Sequence, residues 1–178
     1  MVKTILITGG AGFIGSHTVE HIYRKTDWNI VVIDKLTYAS KGFERLRDSG
    51  MTTNTRIKIF TYDLCCPISP YFSKEIGVIN YIVHMAAETH VDNSIKEPVQ
   101  CIENNVMSTV YFLEYARTLQ HLEKFFYFST DEVFGTAPQN TSFLEWDRHK
   151  PANPYSASKS AAENICLAYE NTYRIPVI

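Results

Sequence analysis

The stretch Thr4-Ile5-Leu6-Ile7-Thr8-Gly9-Gly10-Ala11-Gly12-Phe13-Ile14-Gly15 constrains this chain more than any other. A short apolar, β-favouring run feeds directly into Gly9, Gly12 and Gly15 and then into a helical pattern, so the spacing predicts a strand, a tight turn and a helix beginning near Phe13. Glycines there let the backbone turn sharply and bring a pyrophosphate against free N–H groups at a helix N-terminus, where the dipole favours negative charge. The Gly-x-x-Gly-x-x-Gly spacing differs from the better-known G-x-G-x-x-G, and a glycine triplet alone is weak evidence. Its context strengthens it. The next strand-like run ends at Asp34, about twenty residues beyond Gly15, where a carboxylate can accept both hydroxyls of an adenosine ribose. Asp34 also repels a 2′-phosphate, which points to NAD over NADP; the neighbouring Lys35 works the other way.

Four further runs of the same kind follow: NIVVID (29–34), RIKIFTY (56–62), INYIVHM (79–85) and KFFYFST (124–130), after KTILIT (3–8). Each leads into loop plus helix. Strands this uniformly apolar, alternating with helices, predict an α/β doubly wound parallel sheet covered on both faces, with right-handed crossovers. Pro98 and Pro154 suit first-turn positions of helices over 98–119 and 155–173. In the former, Val99, Ile102, Val106, Val110 and Leu113 form one stripe while Tyr111, Phe112 and Tyr115 fall elsewhere, so more apolar surface is on offer than the sheet can cover. No linker or internal repeat interrupts 1–178, which reads as a single cofactor-binding domain. The closing RIPVI begins another strand, and the chain is expected to be part of something longer.

A net charge of −2 with Lys and Arg scattered excludes the basic footprint of a nucleic-acid binder. No leader peptide or bilayer-length apolar run is visible, so neither membrane insertion nor export is expected, and a cytoplasmic setting follows. Cys65, Cys66, Cys101 and Cys166 contain no Cys-x-x-Cys pair, and the vicinal Cys65-Cys66 are poor disulfide partners; all four are expected to be reduced packing residues.

Two constellations carry candidate chemistry. Tyr155 and Lys159 stand four apart on one helix face, and an ammonium beside a phenol favours the phenolate, shifting it by roughly 1–3 units toward general-base work. STDEVFG (129–135) ends the fifth strand, where an open α/β sheet presents its ligand crevice; Thr130 can bind a sugar hydroxyl, and Asp131 with Glu132 supplies two carboxyl groups that different environments could tune apart. Asp63, after the third strand, is placed to meet an adenine edge or simply to close a turn. His17-Thr18-Val19-Glu20-His21 fits a zinc-peptidase pattern, but its helix is committed to the pyrophosphate and an Ile14, Thr18, Ile22 stripe would leave both histidines in solvent, so no metal site is expected. His84 and His90 read as packing or hydrogen-bonding residues.

TGGAGFIGSH (8–17), DKLTYAS (34–40), HMAAETHVDNSI (84–95), STDEVFG and NPYSASK (153–159) together resemble the successive motifs of dTDP-glucose 4,6-dehydratases and their UDP-glucose relatives, extended short-chain dehydrogenases/reductases with a Rossmann fold. Thr130-Asp131-Glu132 is the specific element, since related 4-epimerases and decarboxylases usually differ at the last two positions. The resemblance implies that Tyr155, assisted by Lys159, takes the proton of the sugar's 4-hydroxyl as hydride passes to NAD. Thr130 would position that hydroxyl, Glu132 would remove the carbon-5 proton, and Asp131 would protonate the departing 6-hydroxyl. It implies cofactor contacts from Gly9, Gly12, Phe13, Ile14, Gly15, Asp34, Lys35, Leu36, Thr37, Asp63, Leu64, Met85, Ala86, Ala87, Glu88, Thr89, Asn104, Tyr155 and Lys159, with Thr89 also near a nucleotide-sugar substrate. It implies a homodimer through helices 98–119 and 155–173, and a substrate domain beyond residue 178. Two departures stand out: Phe134 replaces the usual tyrosine, and Asn104 stands where bacterial enzymes often have threonine. The competing expectations are a 4-epimerase or decarboxylase of the same superfamily, and a catalytically silent NAD-binding module.

Overall fold

The computed structural model describes residues 2–178. Five strands, β1 (Thr4–Thr8), β2 (Asn29–Asp34), β3 (Ile57–Thr61), β4 (Tyr81–His84) and β5 (Lys124–Tyr127), form one parallel sheet in the order β3-β2-β1-β4-β5. The expected doubly wound sheet is therefore present. The last residues continue it: Val177 bridges Phe125 in parallel, and Tyr127 N–H donates to the Ile178 carbonyl at 2.8 Å.

Both faces of the sheet are buried, which explains why its strands look apolar throughout. Period-two alternation sends Ile5, Ile7, Ile30, Val32 and Val83 to one side, against Val19 of α1 (Phe13–Lys25) and Leu46 of α2 (Glu44–Asp48). It sends Leu6, Val31, Ile33, Ile82 and Phe125 to the other, against Phe112, Leu113, Tyr115 and Cys166. That second layer contains α3 (Pro70–Ile76), α5 (Pro98–Ile102), α6 (Ser108–Arg117) and α7 (Pro154–Tyr173), with the short α4 (Val91–Lys96) beside them. Among the described residues, no helix is long and apolar enough to cross a membrane.

Two helical readings need correction. The segment expected as one helix over 98–119 is α5 and α6 joined by a π-helical turn, Glu103–Met107. The wider turn shifts the phase of everything after it. The buried face is Cys101, Asn105, Ser108, Thr109, Phe112 and Ala116; Val99 and Ile102, from the expected stripe, are exposed, while Leu113 alone of that stripe is fully buried. In α1 the core face is Gly15, Ser16 and Val19 rather than Ile14, Thr18 and Ile22, because Ile14 faces the cleft described next.

Candidate functional site

Strand order reverses between β1 and β4, and a cleft of about 460 Å³ opens at the C-terminal ends of the strands there. Its floor is the glycine turn. Gly9 has φ +69°, and a Cβ there would come within 2.9 Å of the Ala86 backbone; a Cβ on Gly15 would lie 2.1 Å from the Gly9 carbonyl oxygen. Only glycine lets turn, helix and the β4 loop approach this closely. Gly12 is the N-cap of α1, contributes no side-chain cap, and no acidic residue occupies the first turn, so the uncapped N–H groups of Phe13 and Ile14 face the cleft. Such an end fits a pyrophosphate.

The opposite end is built around Asp34. Its Oδ2 accepts from Ala11 N–H at 3.0 Å and its Oδ1 from Leu36 N–H at 2.8 Å, which leaves a lone pair on each oxygen for ribose hydroxyls. Leu36, at φ +60°, shapes this turn through its backbone and does not line the cleft, whereas Lys35, Thr37, Asp63 and Leu64 do. Asp63 proves to be a turn residue as well, with Oδ1 accepting from Cys65 N–H at 2.9 Å. Lys35 donates to Asn104 Oδ1 at 2.7 Å and lies 3.5 Å from Asp63 Oδ2, so its charge is already partnered. Arg45 is spent on the carbonyls of Ala11, Ala39 and Ser40.

Residues Met85–Thr89 form the wall after β4. Beneath them His84 is fully buried, with Nδ1 2.8 Å from Thr8 Oγ1 and Nε2 3.2 Å from Thr109 Oγ1. The Thr109 hydroxyl proton goes to the Asn105 carbonyl, while Thr8 Oγ1 accepts from Met85 and Ala86 N–H. The imidazole must therefore donate from Nε2 and accept at Nδ1, a single neutral tautomer. Asn105 holds the same wall from the other side: its amide bonds both Glu88 N–H (2.7 Å) and Glu88 C=O (2.9 Å), and donates to Ser158 Oγ on α7 at 2.9 Å. The π turn thus points Asn104 toward the cofactor cleft and Asn105 into the core.

The fourth wall carries Tyr155 and Lys159 from α7, with Phe128 and Ser129 from the end of β5. Both expected residues are buried, but they are not partnered as expected. The Lys159 ammonium donates to the Phe128 carbonyl and sits 4.3 Å from the Tyr127 ring centroid. Burial pulls its pKa down to about 8, against the opposing influence of Cys166 and Glu163. Burial pushes the Tyr155 phenol above its ordinary value; a side-chain hydrogen bond with Thr130 pulls the other way, and nearby Glu132 and Asp131 push it further up. Thr130, Asp131 and Glu132 lie on a 3₁₀ turn (Asp131–Phe134) beside the cleft rather than lining it. Thr130 Oγ1 accepts from Glu132 N–H at 3.3 Å, and Glu132 Oε2 accepts from Asn153 Nδ2 at 3.1 Å.

Asn153, Ser94, Asn105 and Ser158 were not singled out from sequence. Asn before Pro154 is a legible N-cap signature, but its second contact depends on the tertiary fold. Phe134, in place of tyrosine, is stacked on Phe143 and meets His149 edge-on. His17 and His21 are exposed, as read; His90 is also exposed, at the N-cap of α4, so it is not the packing residue expected. Cys65 is half-buried near Asn104, and Cys66 is exposed.

A family model for GDP-mannose 4,6-dehydratase matches residues 6–178. A dTDP-D-glucose 4,6-dehydratase of Dictyostelium discoideum is 37% identical over 99% of this chain and 42% of its own length. A dTDP-glucose 4,6-dehydratase of Bacillus anthracis, solved in complex with NAD, superposes with a TM-score of 0.86 at 31% identity, covering 99% of this chain and 53% of that one. A UDP-glucuronic acid 4-epimerase of Bacillus cereus, solved with UDP-glucuronic acid and NAD, gives 0.87 at 28% identity over 98% of this chain and 55% of that one. The chain spans about half the length of the relatives it matches.

Proposed function

This chain belongs to the nucleotide-sugar 4,6-dehydratases of the extended short-chain dehydrogenase/reductase family, and from that membership we propose that residues 1–178 are the NAD-binding domain of an enzyme that removes water from a nucleoside-diphosphate glucose. The observation that carries this reading is the pair of carboxylates beside Tyr155: an epimerase needs one proton carrier at carbon 4, whereas elimination across carbons 5 and 6 needs an acid and a base more. Asp131 and Glu132 are in place to supply them.

When bound, NAD supplies the acceptor for hydride from carbon 4 and gives it back to carbon 6, so the overall reaction has no net redox change. Tyr155 takes the proton of the 4-hydroxyl, with Lys159 holding positive charge within the same buried wall. Thr130 orients that hydroxyl. Glu132 removes the carbon-5 proton, made acidic by the new ketone, while Asp131 protonates the departing 6-hydroxyl, which leaves as water; a proton then returns to carbon 5. The product is a 4-keto-6-deoxy sugar. The partnered Lys35 and the carboxylate of Asp34 support NAD over NADP.

Mass spectrometry of dTDP-glucose and UDP-glucose, each incubated with the protein and with its Glu132→Gln variant, tests the reading. Loss of one water from one donor, abolished in the variant, is expected. An unchanged mass with inverted carbon 4 would instead establish the 4-epimerase that the Bacillus cereus neighbour represents.

We also place a second copy of the chain against α5–α6 and α7, where Val99, Ile102, Met107 and Leu167 are exposed. Light scattering is expected to give a homodimer, and a monomer at all concentrations would contradict this. The cytosol is the setting we assign, in keeping with four cysteines that form no disulfide.

A further inference from the structure

We propose that Asn153 is a positioning residue that holds Glu132 against the helix carrying Tyr155, so that the base for carbon 5 and the phenol for carbon 4 keep a fixed separation; the role rests on the dehydratase reading above. Asn153 does two jobs with one amide. Its Oδ1 accepts from Ser156 N–H at 2.8 Å and caps α7, and Ser156 Oγ answers by accepting from Asn153 N–H at 3.2 Å. With Oδ1 committed to the cap, the amide can present only its NH₂ to Glu132, and Nδ2 donates to Oε2 at 3.1 Å. Pro154 stiffens the next position, and Tyr155 N–H is pinned to the buried Ser94 hydroxyl at 3.2 Å. The amide therefore stands on a rigid base two residues from the phenol.

The carboxylate it holds is otherwise open. Glu132 is anchored through its backbone, N–H to Thr130 Oγ1 and C=O from Gly135 N–H, while among the described residues its side chain accepts only from Asn153. One oxygen is held and the other remains available, as a base that must reach a substrate proton requires. The residue type follows from the double task. Ser, Thr, Asp and Asn all cap helices well, but Ser and Thr are too short to bridge to Glu132, and Asp would set a second negative charge against it.

Two substitutions separate the tasks, because Asn153→Ser and Asn153→Asp both retain a capping oxygen. The tether is read on the chain without substrate, by melting Asn153→Ser, Glu132→Ala and the double variant. We expect Asn153→Ser to lower the melting temperature by ~2–4 °C in the native background and by much less when Glu132 is already alanine. Equal losses in both backgrounds overturn the tether. With dTDP-glucose or UDP-glucose, the same two Asn153 substitutions are expected to slow water loss roughly 10–100-fold, while oxidation at carbon 4 continues, so that reduced-nicotinamide absorbance builds up where the native protein shows little. Unchanged water loss overturns the positioning role, and so does a parallel fall in both signals that tracks the melting temperature, which is what a damaged cap alone would produce. If the native protein binds NAD but dehydrates neither donor, the dehydratase reading falls and this role falls with it, while the melting cycle still decides the tether.

Discussion

His84 illustrates how far one side chain's chemistry is set by its neighbours. Burial, and secondarily the charge of Lys159, lowers its pKa from 6.5 to about 3. As pH falls through about 6.5 the unfolded chain takes up a proton that the folded chain refuses until about 3. The stability contributed by the neutral imidazole is therefore complete above about 6.5 and is lost progressively as pH drops toward 3. Denaturant titrations at about pH 7 and about pH 5 are expected to show that loss in the native protein and a shallower one in His84→Phe. The same substitution should cost ~1–3 kcal/mol near neutrality, because it strips a partner from the buried hydroxyls of Thr8 and Thr109. His84 could be read from sequence as a hydrogen-bonding residue, since buried strand histidines need partners. Which ring nitrogen carries the proton could not, because it follows from a chain of donors running from Asn105 to the Met85 backbone.

Among the elements, the glycine turn and α1 are the most legible and the least tolerant. Gly15→Ala would drive its Cβ into the Gly9 carbonyl at 2.1 Å and push the helix start away from the turn. We expect the variant to lose NAD binding by at least ~10-fold in a calorimetric titration, since a displacement of this kind separates the first-turn N–H groups from the pyrophosphate they would hold. Unaltered affinity would show that the helix end does not meet the ligand. The α5–α6 segment teaches the opposite lesson. Its apolar spacing suggested one stripe, yet the π turn at Glu103–Met107 rotates the following residues, burying Asn105, Ser108 and Thr109 and leaving Val99 and Ile102 outside. A side-chain pattern taken at 100° per residue contains no signal for an inserted residue. The compensation is visible only once Asn105 is seen bonding the Glu88 backbone and Ser158.

For the molecule as a whole, the cleft joins the ends of β1, β2, β4 and β5 with α1 and α7, so a ligand that fills it should tighten the entire fold. NAD at about 100 times its dissociation constant would add ~2.7 kcal/mol, or roughly 5–11 °C in melting temperature for a chain of this size. NADP at the same concentration is expected to give little shift, because Asp34 repels the 2′-phosphate and Lys35 and Arg45 are already occupied. Equal shifts would show that one of these cations is released. The sequence by itself determined the sheet, the glycine turn, Asp34 at a strand end and the Tyr155–Lys159 pair on one helix, because these depend on local spacing: a period of two, a turn needing positive φ, a helical repeat of four. Only the tertiary structure decided that Lys159 faces the Phe128 carbonyl rather than the phenol, that Lys35 is neutralised by Asn104 and Asp63, and that Asn153 reaches Glu132. Those are pairings across 21 to 69 residues of chain, and what a charge or an amide does at such range is set by which neighbours packing brings within reach and how much water it removes.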